Sequence, residues 1–123
     1  MSTEKKSGSA SDDPSASGDA KAIYKEAFGL FAKGEVDEAI TRYRAAIDVD
    51  ESLAIAWNGL SMALAKRGDL DAAIEAAERL VELEPDDPLS HTNLSRILMQ
   101  KGEITAAEDA RAKAMGLQMR SSS

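Results

Sequence analysis

Gly68-Asp69-Leu70-Asp71-Ala72-Ala73-Ile74 is the stretch from which the fold can be read. Its pattern occurs before it in Gly34-Glu35-Val36-Asp37-Glu38-Ala39-Ile40 and after it in Gly102-Glu103-Ile104-Thr105-Ala106-Ala107, at equal intervals. A glycine free to take a positive φ ends one helix, and the acidic residues behind it suit the positive end of the next helix dipole. Three such junctions at one spacing define a repeat array. Alanine at Ala39, Ala73 and Ala107 carries little side chain and lets the second helix of each pair lie close to the first.

Outward from these junctions the apolar residues fall at helical spacing. Ile23, Ala27, Leu30 and Phe31 form a stripe ended by Gly34, and Val36, Ala39, Ile40, Tyr43, Ala46 and Ile47 form the next. Leu53, Ala56, Trp57, Leu60 and Leu64 lead to Gly68, with Ser52 expected as the N-cap. Leu70, Ala73, Ile74, Ala77, Leu80, Val81 and Leu83 make a fourth stripe. Asp87 is expected to cap the fifth helix, with Pro88 in its first turn, where a missing N–H costs nothing. Leu94, Ile97 and Leu98 carry that helix to Gly102, and Ile104, Ala107, Ala110, Ala114, Met115 and Leu117 mark a sixth. The expected fold is all-α, three antiparallel helix-turn-helix hairpins in a row.

Composition agrees with helices. Of 123 residues 43% are hydrophobic and only 4% aromatic, so a core must be built from Ala, Leu, Ile, Val and Met. The length suits one domain. A formal charge of −7, from 22 acidic against 15 basic residues, makes nucleic acid and anionic membrane poor partners. Without cysteine there is no disulfide, thiolate nucleophile or thiolate metal site. The segment 1–18 holds no aliphatic side chain beyond the initiator and reads as a disordered tail; the helical domain is expected over 19–119, with a short tail over 120–123. No apolar run suits a signal peptide or a membrane span, so the cytoplasm is the expected location.

Laid on the period of the glycine junctions, the unit 54–87 reads Trp57, Leu60, Ser61, Leu64, Gly68, Leu70, Ala73, Ala77, Leu80 and Pro85. This resembles a tetratricopeptide repeat. The unit 20–53 fits with Ile23, Ala27, Leu30, Gly34, Ala39, Tyr43 and Ala46, and 88–121 with His91, Leu94, Ser95, Leu98, Gly102, Ala107 and Ala114. The resemblance implies an α-solenoid wound as a right-handed superhelix, non-catalytic, with a concave groove that holds a peptide or helix of another protein. It also implies the lining of that groove: Lys21, Tyr24, Phe28 and Phe31, then Ile55, Asn58, Met62 and Lys66, then Leu89, Thr92, Arg96 and Gln100. Cochaperone members grip a C-terminal carboxylate with lysines, asparagines and an arginine. The corresponding positions here are Tyr24, Phe28, Gly59, Leu89 and Asn93, so that clamp is absent and chaperone tails are not expected as partners.

The departures from the pattern fall at the ends. Glu26 stands where the other units have Leu60 and Leu94, while Glu108 and Arg111 dilute the outer face of the last helix. Terminal repeats need polar outer faces. Met115, Leu117 and Met119 are expected to lie partly bare, which offers an alternative function: a self-associating structural protein that assembles through an uncapped last helix.

Catalytic chemistry finds little support. His91, the one histidine, has no Ser or Cys beside it to serve as a nucleophile and is expected in the core. Asp12-Asp13, Asp86-Asp87 and Glu82 with Glu84 read as solvated surface or a cap rather than acid-base pairs or metal ligands. Neither a cofactor nor a metal is implied. Asn93-Leu94-Ser95 matches a glycosylation triplet, but in mid-helix.

Overall fold

The computed structural model describes residues 14–122. Over them run six helices: α1 Pro14–Ala32, α2 Val36–Val49, α3 Ala54–Arg67, α4 Leu70–Leu83, α5 Pro88–Lys101 and α6 Ile104–Ser122. They pair as α1/α2, α3/α4 and α5/α6, and α2 packs on α3 and α4 on α5 to stack the hairpins into an α-solenoid. Most of the expected tail, 1–13, lies outside the described residues. Among the described residues α1 already runs from Pro14, before the expected start at Asp19. Helix α6 continues past 119 to Ser122, where Ser121 Oγ donates to the Gln118 carbonyl at 3.1 Å.

The three glycine junctions are built alike. Gly34, Gly68 and Gly102 have φ of 87°, 95° and 94°, the left-handed region that a side chain strains. Behind each glycine an N–H turns back to close the helix: Glu35 to Leu30, Asp69 to Leu64 and Glu103 to Leu98, each at 2.9 Å. That is the bond of a Schellman cap, and it satisfies carbonyls left open at the helix end. The turns between hairpins differ. Asp87 Oδ1 accepts the Leu89 N–H at 2.9 Å as expected, but Ser52 does not cap α3. Leu53 holds the N-cap position without a side-chain bond, while Ser52 sits one residue too early and donates from Oγ to Asp50 Oδ1 at 2.7 Å.

The core lies between the helix pairs and is rich in alanine. Ala39, Ala73 and Ala107 are fully buried, which brings each second helix close to its first. Tyr43 of α2 is the largest fully buried side chain. It fits because Gly59 of α3 faces it: a Cβ added there would overlap the Tyr43 ring at Cε1 and Cζ. One unit on, Ala77 and Asn93 hold the equivalent positions, so small and large have changed places. Asn93 is buried and donates through Nδ2 to Ser61 Oγ at 2.8 Å, linking α3 to α5.

Trp57 and His91, one period apart, do the same job. Trp57 Nε1 donates to the Glu51 carbonyl at 2.8 Å, and His91 Nε2 lies 2.7 Å from the Pro85 carbonyl. A carbonyl only accepts, so His91 carries a proton on Nε2. Each ring thereby ties the start of a hairpin to the turn before it. At the opposite edge, beside the glycine junctions, two ion pairs repeat. Arg67 reaches Asp37 of the preceding hairpin at 2.9 Å, and Lys101 reaches Asp71 in the same way. These carboxylates hold both cations above their usual pKa.

Candidate functional site

The first helices of successive hairpins, α1 with α3 and α3 with α5, meet more closely than the second helices do. The stack therefore curves with α1, α3 and α5 on its inner side, and their free faces form a groove. On that face Phe28, Ile55, Met62 and Leu89 are exposed, Phe28 at 55% and Leu89 at 71%. So many large apolar side chains on one inner wall are more than scattered surface residues require. Tyr24 and Phe28, one helical turn apart, stack with ring centroids 6.2 Å apart. Tyr24 is less available than its place in sequence suggests. It also leans on Tyr43 at 5.8 Å, so its ring is half-buried and its phenol pKa is raised by burial.

Eight of the twelve expected lining residues divide between two clefts. Phe31, Met62, Lys66, Arg96 and Gln100 share one of about 410 Å³ with Ala65, Asn93 and Ile97, near the C-terminal ends of α1, α3 and α5. Gln100 Nε2 donates to the Ala65 carbonyl at 3.2 Å, across its wall. Ile55, Asn58 and Leu89 share a second cleft of about 340 Å³ with Ala54, Leu80, Glu84, Asp87 and Ser90, near the helix N-termini. Lys21, Tyr24 and Phe28 lie outside both. Thr92 turns its hydroxyl to the Pro88 carbonyl at 3.0 Å and belongs with Arg96 to a cleft at the α6 end. The first cleft carries the cations Lys66 and Arg96, the second the carboxylates Glu84 and Asp87. The groove is thus apolar along its floor and oppositely charged at its two ends.

Some groove residues escaped the sequence reading. Leu80, Glu84 and Asp87 come from the end of a second helix and the turn after it, which a pattern built on first helices does not reach. Asn93 had one available signal, a polar residue set into an otherwise apolar stripe.

The array ends behave differently from one another. At the α1/α2 end lies a cleft of about 550 Å³, lined by Lys25, Glu26, Gly29, Leu30, Lys33, Glu38, Thr41 and Arg42. Shifted by one period, these positions include Leu60, Leu64, Ala72, Glu75 and Ala76, which line a smaller cleft of about 250 Å³ into which Arg44 of α2 reaches. The larger cleft is the same seat with nothing stacked before it among the described residues. Glu26, expected as a polar replacement, faces solvent there and pairs with Arg42 at 2.6 Å. At the α6 end Met115 and Met119 are exposed, at 50% and 71%, but Leu117 is not: it is 7% exposed. Residues 115 and 119 are one turn apart on the outer face, whereas 117 points about 200° away and inward.

No group of three or more His, Asp or Glu among the described residues is placed to hold a metal, and none of their helices is long and apolar enough to cross a membrane.

Regular helical hairpins, a left-handed glycine inside each and a concave inner face define a helical repeat protein. A family model of the tetratricopeptide repeat matches residues 24–88 and 63–116, and the chain belongs to that family. Solved structures share the fold. MamA is 24% identical with a TM-score of 0.80, covering 84% of this chain and 60% of its own, so the chain spans about three fifths of that relative. The Yersinia enterocolitica type III secretion chaperone SycD, in complex with a peptide of the translocator YopD, is 24% identical with a TM-score of 0.75, covering 79% of this chain and 74% of its own. The second tetratricopeptide domain of Spaghetti (RPAP3), bound to the HSP90 peptide SRMEEVD, is 18% identical with a TM-score of 0.75, covering 80% of this chain and 91% of its own. Among curated protein sequences none matches the chain significantly.

Proposed function

We propose that this chain is a non-catalytic interaction module, a small scaffold or adaptor, that holds an apolar helical segment of another protein in its concave groove. The observation that carries the reading is the exposure of Phe28, Ile55, Met62 and Leu89 on the inner face of three adjacent helices. An amphipathic helix with apolar residues one turn apart fits such a floor. Lys66 and Arg96 at one end and Glu84 and Asp87 at the other favour one direction for the bound segment, with its acidic end toward Lys66. Related folds captured with peptides, SycD with YopD and RPAP3 with the HSP90 tail, support the class of partner. A chaperone tail held through a carboxylate clamp is a poor occupant, because Tyr24, Phe28, Gly59 and Leu89 bring no cation and Asn93 is committed to Ser61.

The reading is tested by placing a photo-crosslinking residue at Phe28, Met62 or, as a control, Glu75 on the opposite side, in cells of the source organism. One partner crosslinked from Phe28 and Met62 and not from Glu75, and lost on Lys66→Glu, is the expected result. Equal crosslinking from Glu75 would refute the groove.

A further inference from the structure

The repeat allows each junction to be compared with the next, and at the α6 end it describes a seat that no helix of the described residues fills. Thr92, Ser95, Arg96, Arg111, Met115 and Gln118 line a cleft of about 410 Å³ there together with Ala114. One period earlier the same positions are Asn58, Ser61, Met62, Ala77, Val81 and Glu84, the surface of α3 and α4 on which α5 packs. The end of the array is therefore shaped to receive one more first helix.

A second copy of this chain would bring α1 to that seat, and the junction pairs do not match. Where α2 meets α3, Tyr43 lies against Gly59. The same two positions at a head-to-tail junction are Arg111 and Lys25, a cation against a cation in a half-buried contact. The ion pairs Arg67 with Asp37 and Lys101 with Asp71 would also have no successor, since Lys33 would meet Thr105.

We propose that the α5/α6 end is a second docking site, adjoining the concave groove and sharing Arg96 with it, for an amphipathic helix of another protein that carries a carboxylate where α3 has Gly59 and α5 has Asn93. Arg111 faces that position directly. Arg96 flanks it, as Met62 flanks Asn93 in the cleft one unit earlier. Arg96 and Arg111 are exposed, and neither has a hydrogen-bond or ion-pair partner among the described residues. Two free guanidiniums around one carboxylate provide charge-assisted bonds, and Met115 offers an adaptable apolar surface for the aliphatic residues beside it.

The test uses the whole chain and a stapled, fluorescent helix of the α5 sequence, residues 88–101, with glutamate in place of Asn93, compared with the same peptide carrying lysine there. The glutamate peptide is expected to bind at least tenfold more tightly than the lysine peptide. Arg111→Glu should reverse that preference, and Lys66→Glu in the groove should leave it unchanged. Equal binding of the two peptides, or binding lost on Lys66→Glu and kept in Arg111→Glu, overturns the proposal. Sedimentation supplies the independent arm. The natural chain is expected to stay monomeric, while Arg111→Glu, which would set a carboxylate against Lys25, promotes end-to-end association. End-to-end association of the natural chain that Arg111→Glu abolishes would make a second copy the occupant and overturn the proposal as well.

Discussion

Tyr43 of α2 occupies the space that a side chain at Gly59 of α3 would need. This glycine is in a regular helix, so its role is close approach rather than unusual backbone geometry. Gly59→Ala should push the ring out of its seat and destabilise the fold by about 1–3 kcal/mol, the usual range for overpacking. Thermal unfolding of Gly59→Ala alone and combined with Tyr43→Ala measures the coupling. The second substitution should make the first far less costly, as in the next unit, where alanine faces the larger Asn93.

Gly68 calls for the opposite logic. A Cβ there meets nothing within 4 Å, but φ is +95°, so the cost is conformational. Gly68→Val should lose about 1–2 kcal/mol or more, a drop of roughly 4–8 °C per kcal/mol for a domain of this size. Calorimetry checks it, and an unchanged melting temperature would contradict the left-handed cap.

Alkaline pH should unfold the protein partly through Tyr43. Burial, with a smaller contribution from Tyr24, pushes its phenol up to about 12, against about 10 for an unfolded tyrosine. The fold favours the neutral form, so this contribution is complete below pH 10 and is lost as pH rises toward 12; it is on the order of 2 kcal/mol. Tyr43→Phe removes the titration and should flatten the fall in stability across that window, measured by denaturant unfolding at stepped pH.

Leu117 and Met119 separate core from surface on α6. Leu117→Ala should cost about 2 kcal/mol or more, as expected for a buried leucine. Met119→Ala should stay within about 0.5 kcal/mol. Chemical denaturation of the two variants decides it, and similar losses would mean that α6 is turned differently.

The period and the three glycine junctions were legible because the same local chemistry is written three times, so chance matches at one site are outvoted by the other two. The alanines and the Asp87 cap were legible for the same kind of reason: each has a local cause. What failed was whatever depends on direction. Ser52 is the right residue type one place too early, and Leu117 shares composition but not a face with Met115 and Met119. Tyr24 was placed on the groove by position, yet its half-burial depends on Tyr43, a residue of another helix that no local pattern specifies. The expected groove is a set of first-helix positions, a pattern that does not reach Glu84 and Asp87, which line a cleft with Ile55, Asn58 and Leu89 but belong to the connection between units.

The two ion pairs along the glycine edge have a mechanical consequence. Arg67 with Asp37 and Lys101 with Asp71 are exposed clasps between neighbouring hairpins, weak as surface ion pairs are and screened within about 8–10 Å at ordinary ionic strength. Deeper in the stack the hairpins are locked by ring against backbone, Tyr43 on Gly59, and by the buried bond from Asn93 to Ser61. One edge is therefore compliant and the interior stiff, like a hinge strip along the spine of a book. Bending that opens the glycine edge costs little and becomes easier as salt rises, whereas sliding one hairpin past the next is resisted by the interlocked core. The array is built like a leaf spring with its softness on one side, and its curvature should respond to the ions around it.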